Sequence, residues 1–322
     1  MKLVTLEEPD GSWDQFVETR SDLIFHTSLW GKVLKEGYGC KLRYFVLEDE
    51  GEWLLAIPGM LTGRFLKLWY SLIPYGGFIG KREYIPVLLD FIIKDIRRYK
   101  IDRLQIVDPY LKGQAELPGF QAIESVRHVL DLSDKTEEGL WKSYKPNLRW
   151  SIKTALKRGL FNEKIKDISQ VKIFYELYQS SMERNKAVIK YPIRLFESIY
   201  SLMPEGQRDI LFVKSKDKTV AGIFIIYSNK IAHDFHNDSL TRYLSLRPND
   251  LLIHQSLRLA LNQRKEKFDF LGSSKSMMSL IQFKDKWGAE RKPLLSLHQD
   301  IHRIKAWMHK FGTPLLRLSQ RR

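Results

Sequence analysis

A pattern of amphipathic helices and short apolar strands runs through this chain, and after about Asp134 it starts again. Residues 12–19 and 27–36 have helical spacing of apolar side chains, then Gly37 and Gly39 break the pattern. Extended runs follow at 43–47 and 52–60, with Gly51 between them as a turn residue. Residues 71–80 (SLIPYGGFIG) read as a loop, 84–99 as a helix and 103–107 as a strand. The second half repeats the alternation. Helices are expected at 147–157, 171–185 and 192–202, the last with Pro192 in its first turn. Strands at 210–214, 219–228 and 230–236 precede a helix at 249–263, a strand at 268–271, a helix at 277–287 and a strand at 294–298. Helices alternating with a mixed sheet predict an α/β (α+β) chain of two domains, 1–135 and 136–298, followed by a terminal segment, 299–322.

At 322 residues, with 43% hydrophobic and 12% aromatic side chains, the chain can bury a real core, so global disorder is excluded. A single cysteine, Cys40, excludes an internal disulfide framework and a multi-cysteine metal site. No apolar run reaches the ~18 residues of a membrane span, and MKLVTLEEPDG has no apolar signal core. A cytoplasmic location is expected.

The net charge is +15, and it is concentrated. Residues 141–160 hold Lys142, Lys145, Arg149, Lys153, Lys157 and Arg158 without an acid. Residues 301–322 hold Arg303, Lys305, Lys310, Arg317, Arg321 and Arg322, again without an acid. Such clusters favour polyanions: nucleic acid, nucleotide phosphates or anionic lipid. Lys145, Arg149, Lys153 and Lys157 step by four, which makes one cationic stripe on a helix, while Leu148, Ile152, Ala155 and Leu156 form a separate apolar side. The stripe is read equally as a solvated face or as a phosphate-binding one. In the tail, Ile301, Ile304, Trp307, Met308 and Phe311 beside Arg303, Lys305 and Lys310 make a basic amphipathic helix. It either packs on its own domain or lies peripherally on an anionic membrane at the inner face.

Lys284 is the most informative single residue. On a helix, Met277, Leu280, Ile281 and Trp287 share an arc, and Lys284 falls in its middle, with Gln282, Asp285 and Lys286 pointing away. A lysine there loses hydration and needs an anionic partner or a lowered pKa. A structural ion pair or a snorkelling stem explains it as well as a cation placed for a phosphate or a developing oxyanion does. Asp234 and His236 share a strand face by simple alternation, so either is a candidate base, whereas His233 and His236 fall on opposite faces and do not share a metal. Gly37-Tyr38-Gly39 lacks the third glycine of a dinucleotide fingerprint and precedes a strand. There is no P-loop, nucleophile elbow or H-E-x-x-H. No metal site is expected.

FHTSLWGKVLKEGYG, SLIPYGGFIG, NLRWSIKTALKRG, FYELYQSSMERN and, above all, LRPNDLLIHQSLRLALNQRKEKFDFLGSS with LIQFKDKWGAE resemble the FemAB-like (FemABX) branch of the GNAT acyltransferases. The resemblance covers nearly the whole chain. It implies two GNAT-like domains, each a mixed, largely antiparallel central sheet flanked by helices. It also implies transfer of an aminoacyl or acyl group from aminoacyl-tRNA or acyl-CoA, as co-substrate and not as a tightly bound cofactor. The acceptor is then an amine on a cell-envelope precursor or polysaccharide. Lys284 matches a lysine with a catalytic role in that family. In this light Arg247 and Asn249, with Arg149 and Lys153, are expected to bind the donor. Trp30, Tyr75, Gly76, Gly77 and Ser273 are expected at the acceptor. Two departures stand out. The stretch Leu246-Arg247-Pro248-Asn249-Asp250 has no glycine to cradle a coenzyme A pyrophosphate, though Arg247 at a helix start can meet a phosphate. Leu34 stands where envelope-linking members carry a lysine after the tryptophan, with Lys32 and Lys35 nearby. The competing class is a non-enzymatic module that binds RNA or an anionic membrane through the charge clusters.

Overall fold

The computed structural model describes residues 1–63, 66–111 and 117–302. The tail helix expected at 299–322 lies, past His302, outside the described residues. Contacts gather the chain into two compact units. Of the described residues, the first comprises those in Met1–Lys35 and Gly39–Ser125 and those from Pro293 to His302; the second comprises Glu36–Tyr38 and Val126–Lys292.

In the first unit, β1 (Lys2–Leu6) is followed by α1 (Gly11–Glu18) and α2 (Ser28–Tyr38). Thr27 caps α2 by accepting from Trp30 N, and Gly39 closes it at φ 63°, a left-handed value glycine adopts without strain. Then come β2 (Lys41–Leu42), β3 (Tyr44–Asp49), β4 (Glu52–Ile57), β5 (Gly59–Thr62), β6 (Leu68–Ser71) and β7 (Ile79–Gly80). Pro58, which cannot donate to a ladder, splits the expected 52–60 strand into β4 and β5. The unit continues with α3 (Ile85–Arg98) and β8 (Arg103–Asp108). Strands β1, β3, β4 and β7 form one antiparallel sheet. In the other, β6 runs parallel to β8 and the remaining pairs are antiparallel. Leu88, Leu89, Ile92 and Ile96 of α3 line one helical face and pack with Phe45, Leu55, Leu104 and Ile106 in this unit's core.

In the second unit, β9 (Gln121–Asp131), from Val126 on, precedes α4 (Glu137–Ser143), α5 (Pro146–Lys157), β10 (Leu160–Lys164), α6 (Val171–Arg184) and α7 (Ile193–Leu202). It continues with β11 (Arg208–Ser215), β12 (Lys218–Tyr227), β13 (Ile231–Ser239), α8 (Pro248–Asn262), β14 (Lys267–Ser273) and α9 (Met278–Asp285). The last strand, β15 (Glu290–Asp300), returns from Pro293 to the first unit and pairs antiparallel with β8. The sheet order is β10-β11-β12-β13-β14-β9, and only β13 and β14 are parallel. Residues Val220–Tyr227 are buried without alternation, because helices cover both faces of β12. Leu148, Ile152 and Ala155 of α5 and Leu251, Leu252 and Leu257 of α8 pack on one face. Leu156, expected on that apolar side, is 51% exposed: it sits one step past the buried arc. Among the described residues no helix is long and apolar enough to cross a membrane, and no three His, Cys, Asp or Glu gather to hold a metal ion.

The 71–80 loop is packed rather than open. Asp108, fully buried at the end of β8, accepts from Phe78 N at 2.9 Å and Tyr110 N at 2.7 Å and pairs with Arg82 at 2.9 Å. A Cβ on Gly77 would lie 2.5 Å from that carboxylate, and one on Gly76 only 2.1 Å from Leu72 N. Gly76→Ala must therefore displace backbone. We expect it to destabilise the protein by more than about 2 kcal/mol in denaturant unfolding. Gly206→Ala, whose Cβ meets nothing within 4 Å, should stay within about 0.5 kcal/mol. Equal midpoints for the two variants would refute this account of the loop.

Candidate active site

The second unit's sheet opens at one place. Parallel pairing between β13 and β14 joins only Ile231, Ala232 and His233 to Lys267, Phe268 and Asp269. Beyond those pairs Asp234–Ser239 and Phe270–Ser273 run on without pairing to each other. On its other edge β14 carries a bulge against β9 between Asp269 and Gly272, with Leu271 at φ 57°. A bulge takes carbonyls out of the ladder. Those of Phe270 and Leu271 accept instead from Lys284 Nζ, at 2.6 and 3.1 Å, and Ser273 Oγ accepts its third hydrogen at 2.8 Å.

Lys284 is 5% exposed. Burial lowers its pKa to about 8, against the opposing pull of Asp234 and Asp269. The expected arc is realised in Ile281 and Trp287, 3% and 2% exposed, while Met277 stands outside the helix and in solvent. Of the side chains expected to point away, Asp285 pairs with His128 and Arg291, and Lys286 pairs with Asp250.

Asp234 is the first β13 residue past the end of the parallel pairing. Its Oδ2 accepts from Asn237 Nδ2 at 2.6 Å, and its buried Oδ1 has no hydrogen-bond partner among the described residues. Burial raises its carboxyl to about 6, against Asn237 and Lys284. The expectation that Asp234 and His236 share a face is corrected by a second bulge. On β12, Ile225 pairs with Asp234 and the adjacent Phe224 with His236, so the extra residue Phe235 puts them on opposite faces. The same bulge brings His233 and His236 to one face. His236 packs against Tyr178, Tyr191 and Phe196. Burial opposes its charge, but Asp238 at 3.0 Å outweighs this and raises its pKa.

A buried network that sequence reasoning did not find supports this arrangement. Asp269 Oδ2 accepts from Arg127 Nε at 3.0 Å and lies 3.2 Å from His233 Nδ1, while Oδ1 accepts from Leu271 N at 2.9 Å. His233 Nε2 meets Ser228 Oγ at 2.9 Å. Burial alone would raise the Asp269 carboxyl, yet Arg127 and then His233 hold it at about 2. The available signal was an acid centred between Phe268 and Phe270. Arg127 stayed hidden because β9 carries Glu124, Arg127 and His128 and shows no period of two.

Of the residues expected at the donor, Arg247 is the exposed N-cap of α8 at φ 65°, its guanidinium 6.0 Å from the Trp150 ring. Asn249 Oδ1 is buried without a hydrogen-bond partner among the described residues. Asp250, 5% exposed in the first turn of α8, meets Lys286. Arg149 and Lys153 lie on α5, Lys153 in solvent with its ammonium 5.8 Å from the Trp141 ring. Of those expected at the acceptor, Ser273 touches Lys284. The others belong to the first unit. Trp30 is fully buried, donating to Ile73 O at 2.6 Å, and Tyr75 is 1% exposed beside Phe25. Together with Gly76 and Gly77 they shape the 71–80 loop.

The FemAB family model matches residues 115–201. The crystal structure of FemX aligns at 16% identity with a TM-score of 0.68, covering 95% of this chain and 99% of that one. The C-terminal domain of a putative lysylphosphatidylglycerol synthetase from Agrobacterium fabrum aligns at 16% identity and TM-score 0.57 over 93% and 96%. A tandem GNAT protein from the clavulanic acid biosynthesis pathway aligns at 12% and 0.59 over 93% and 98%. No curated protein matches. At these identities the structures establish the fold, two GNAT-like domains with mixed, largely antiparallel sheets. The family match ends before β13, α8 and α9.

A lysine whose folded pKa lies near 8, below its ordinary 10.5, binds fewer protons folded than unfolded between those values. Stability should therefore rise with pH across that window, and Lys284→Met should lack this rise. Parallel stability curves for the two proteins would show that Lys284 is not desolvated.

Proposed function

We propose that this chain, similar to the FemAB family over residues 115–201, is an aminoacyltransferase moving an aminoacyl group from aminoacyl-tRNA to an amine on a cell-envelope precursor or polysaccharide. The observation that carries this reading is the buried Lys284–Ser273 pair together with Asp234, whose Oδ1 has no hydrogen-bond partner among the described residues, where β13 and β14 part.

The amine nitrogen attacks the ester carbonyl carbon, and the carbonyl π pair moves to oxygen. All three Lys284 hydrogens are already taken, so the lysine acts by its charge. Ser273 accepts from Lys284 and keeps its own O–H to donate to the oxyanion. Asp234 takes the proton that the attacking nitrogen sheds. As the tetrahedral species collapses, the C–O bond to the ribose breaks and that oxygen takes up the proton that Asp234 received, leaving an amide, uncharged tRNA and the Asp234 carboxylate restored. His236, on the other face of β13, plays no part.

The start of α8 favours aminoacyl-tRNA over acyl-CoA as the donor. Residues 246–250 contain no glycine, Pro248 offers no N–H, and buried Asp250 already places a carboxylate in the first turn. A pyrophosphate finds few free amides there, and the first turn is already occupied by the Asp250–Lys286 pair. Aminoacyl-tRNA is a cytoplasmic donor, so on this reading the reaction runs on the cytoplasmic side.

Lys284→Met keeps volume and removes a buried charge. We expect normal folding and a fall of about 10²–10³-fold in kcat, read as amide formation on an amine acceptor. A folded, fully active variant would sink the assignment. The rate kcat/KM should rise with pH through about 6 as Asp234 ionises and fall above about 8 as Lys284 loses its proton. Asp234→Asn should remove the lower limb only; a lower limb that survives would assign the base elsewhere.

A further inference from the structure

The reading above leaves the exposed face of α5 unused. The face carries a row of cations beside an aromatic. Leu148, Ile152 and Ala155 fix the buried side. At 100° per residue, Arg149, Lys153 and Lys157 then run from the edge of the buried arc to the middle of the outward face, where Trp150 lies beside the row. Trp150 is 58% exposed, an unusual amount for an indole on a helix whose inner side is packed. The Arg247 guanidinium stands 6.0 Å from its ring, and Arg158 donates to Ser245 O at 2.6 Å, which ties the end of α5 to the segment leading into α8. No acid interrupts residues 141–160.

We propose that Trp150 and Arg247 form a stacking platform for an unpaired nucleotide base of an RNA, and that Arg149, Lys153 and Lys157 take the phosphates of its adjoining strand. This rests on the aminoacyl-tRNA reading and adds the surface that receives the RNA. A row of cations alone suits any polyanion. An exposed indole beside a guanidinium adds a planar apolar surface and a planar cation, both of which stack on bases whatever their sequence. A lipid surface is a poorer match, because an interfacial helix presents a broad apolar arc to the membrane, whereas here Trp150 is a single large apolar side chain among cations and polar residues on the outward arc.

The test uses the full chain and an uncharged RNA hairpin with an unpaired 3′ tail, alongside a blunt version, titrated at several salt concentrations. The tailed hairpin should bind about tenfold more tightly than the blunt one. Trp150→Ala should abolish that preference and leave the salt slope intact, and Trp150→Phe should restore most of it. Replacing Arg149, Lys153 and Lys157 by Gln should make the salt slope shallower by about two to three. Tail preference unchanged in Trp150→Ala would overturn the platform, while transfer from charged tRNA would leave the donor reading standing. Binding of acyl-CoA with none to either hairpin would remove the donor reading and the platform with it. Binding to phosphatidylglycerol vesicles in place of RNA would make α5 a membrane face and overturn the proposal.

Discussion

The candidate site depends on one carboxylate. Asp269 lies on β14 where that strand leaves its parallel pairing with β13 and bulges against β9. Its two oxygens serve both strands and the bulge itself: one binds Arg127 of β9 and His233 of β13, the other closes on Leu271 N. With the Leu271 amide held, the carbonyls of Phe270 and Leu271 turn to Lys284. A buried charge removed from water must be paired or it is strongly destabilising. Asp269 is paired with Arg127, and Lys284 is solvated by carbonyls instead. That difference matters chemically. A lysine neutralised by a close carboxylate has its field cancelled, whereas one held by carbonyl dipoles keeps a net charge to set against an oxyanion.

Helix positions were legible because a period of 3.6 survives small irregularities. Lys284 could be placed on a buried arc from spacing alone, and its burial agrees with that. Strand faces are fragile by comparison. One inserted residue reverses every later side chain, and Phe235 does this to His236. No composition rule marks such an insertion, since bulges arise from pairing with a neighbour strand far away in sequence. The same reason hid β9. Its Arg127 and His128 look like surface residues and are buried only because Asp269 and Asp285 meet them, 142 and 157 residues away.

Resemblance and geometry carry different parts of the reading. The 71–80 loop resembles a family motif, and its glycines are required by backbone and Asp108 contacts that any ligand-free packing would demand. Trp30 and Tyr75 likewise answer to burial. A motif can thus persist because it builds a loop, with no side chain in it touching a substrate. Lys284, Ser273 and Asp234 are different: two are polar groups with capacity left over, and the third is a charge that folding alone would be better served by replacing with an apolar residue.

The start of α8 shows the same logic applied to binding. A helix N-terminus attracts anions, and here the protein supplies its own in Asp250, held by Lys286. The cations still exposed, Arg247 and the α5 row, lie outside that first turn and along a surface. A compact diphosphate needs convergent amides at a point; an extended phosphate backbone needs charges spaced along a line. On the aminoacyl-tRNA reading proposed above, the second unit has filled the point and left the line open for a polymer.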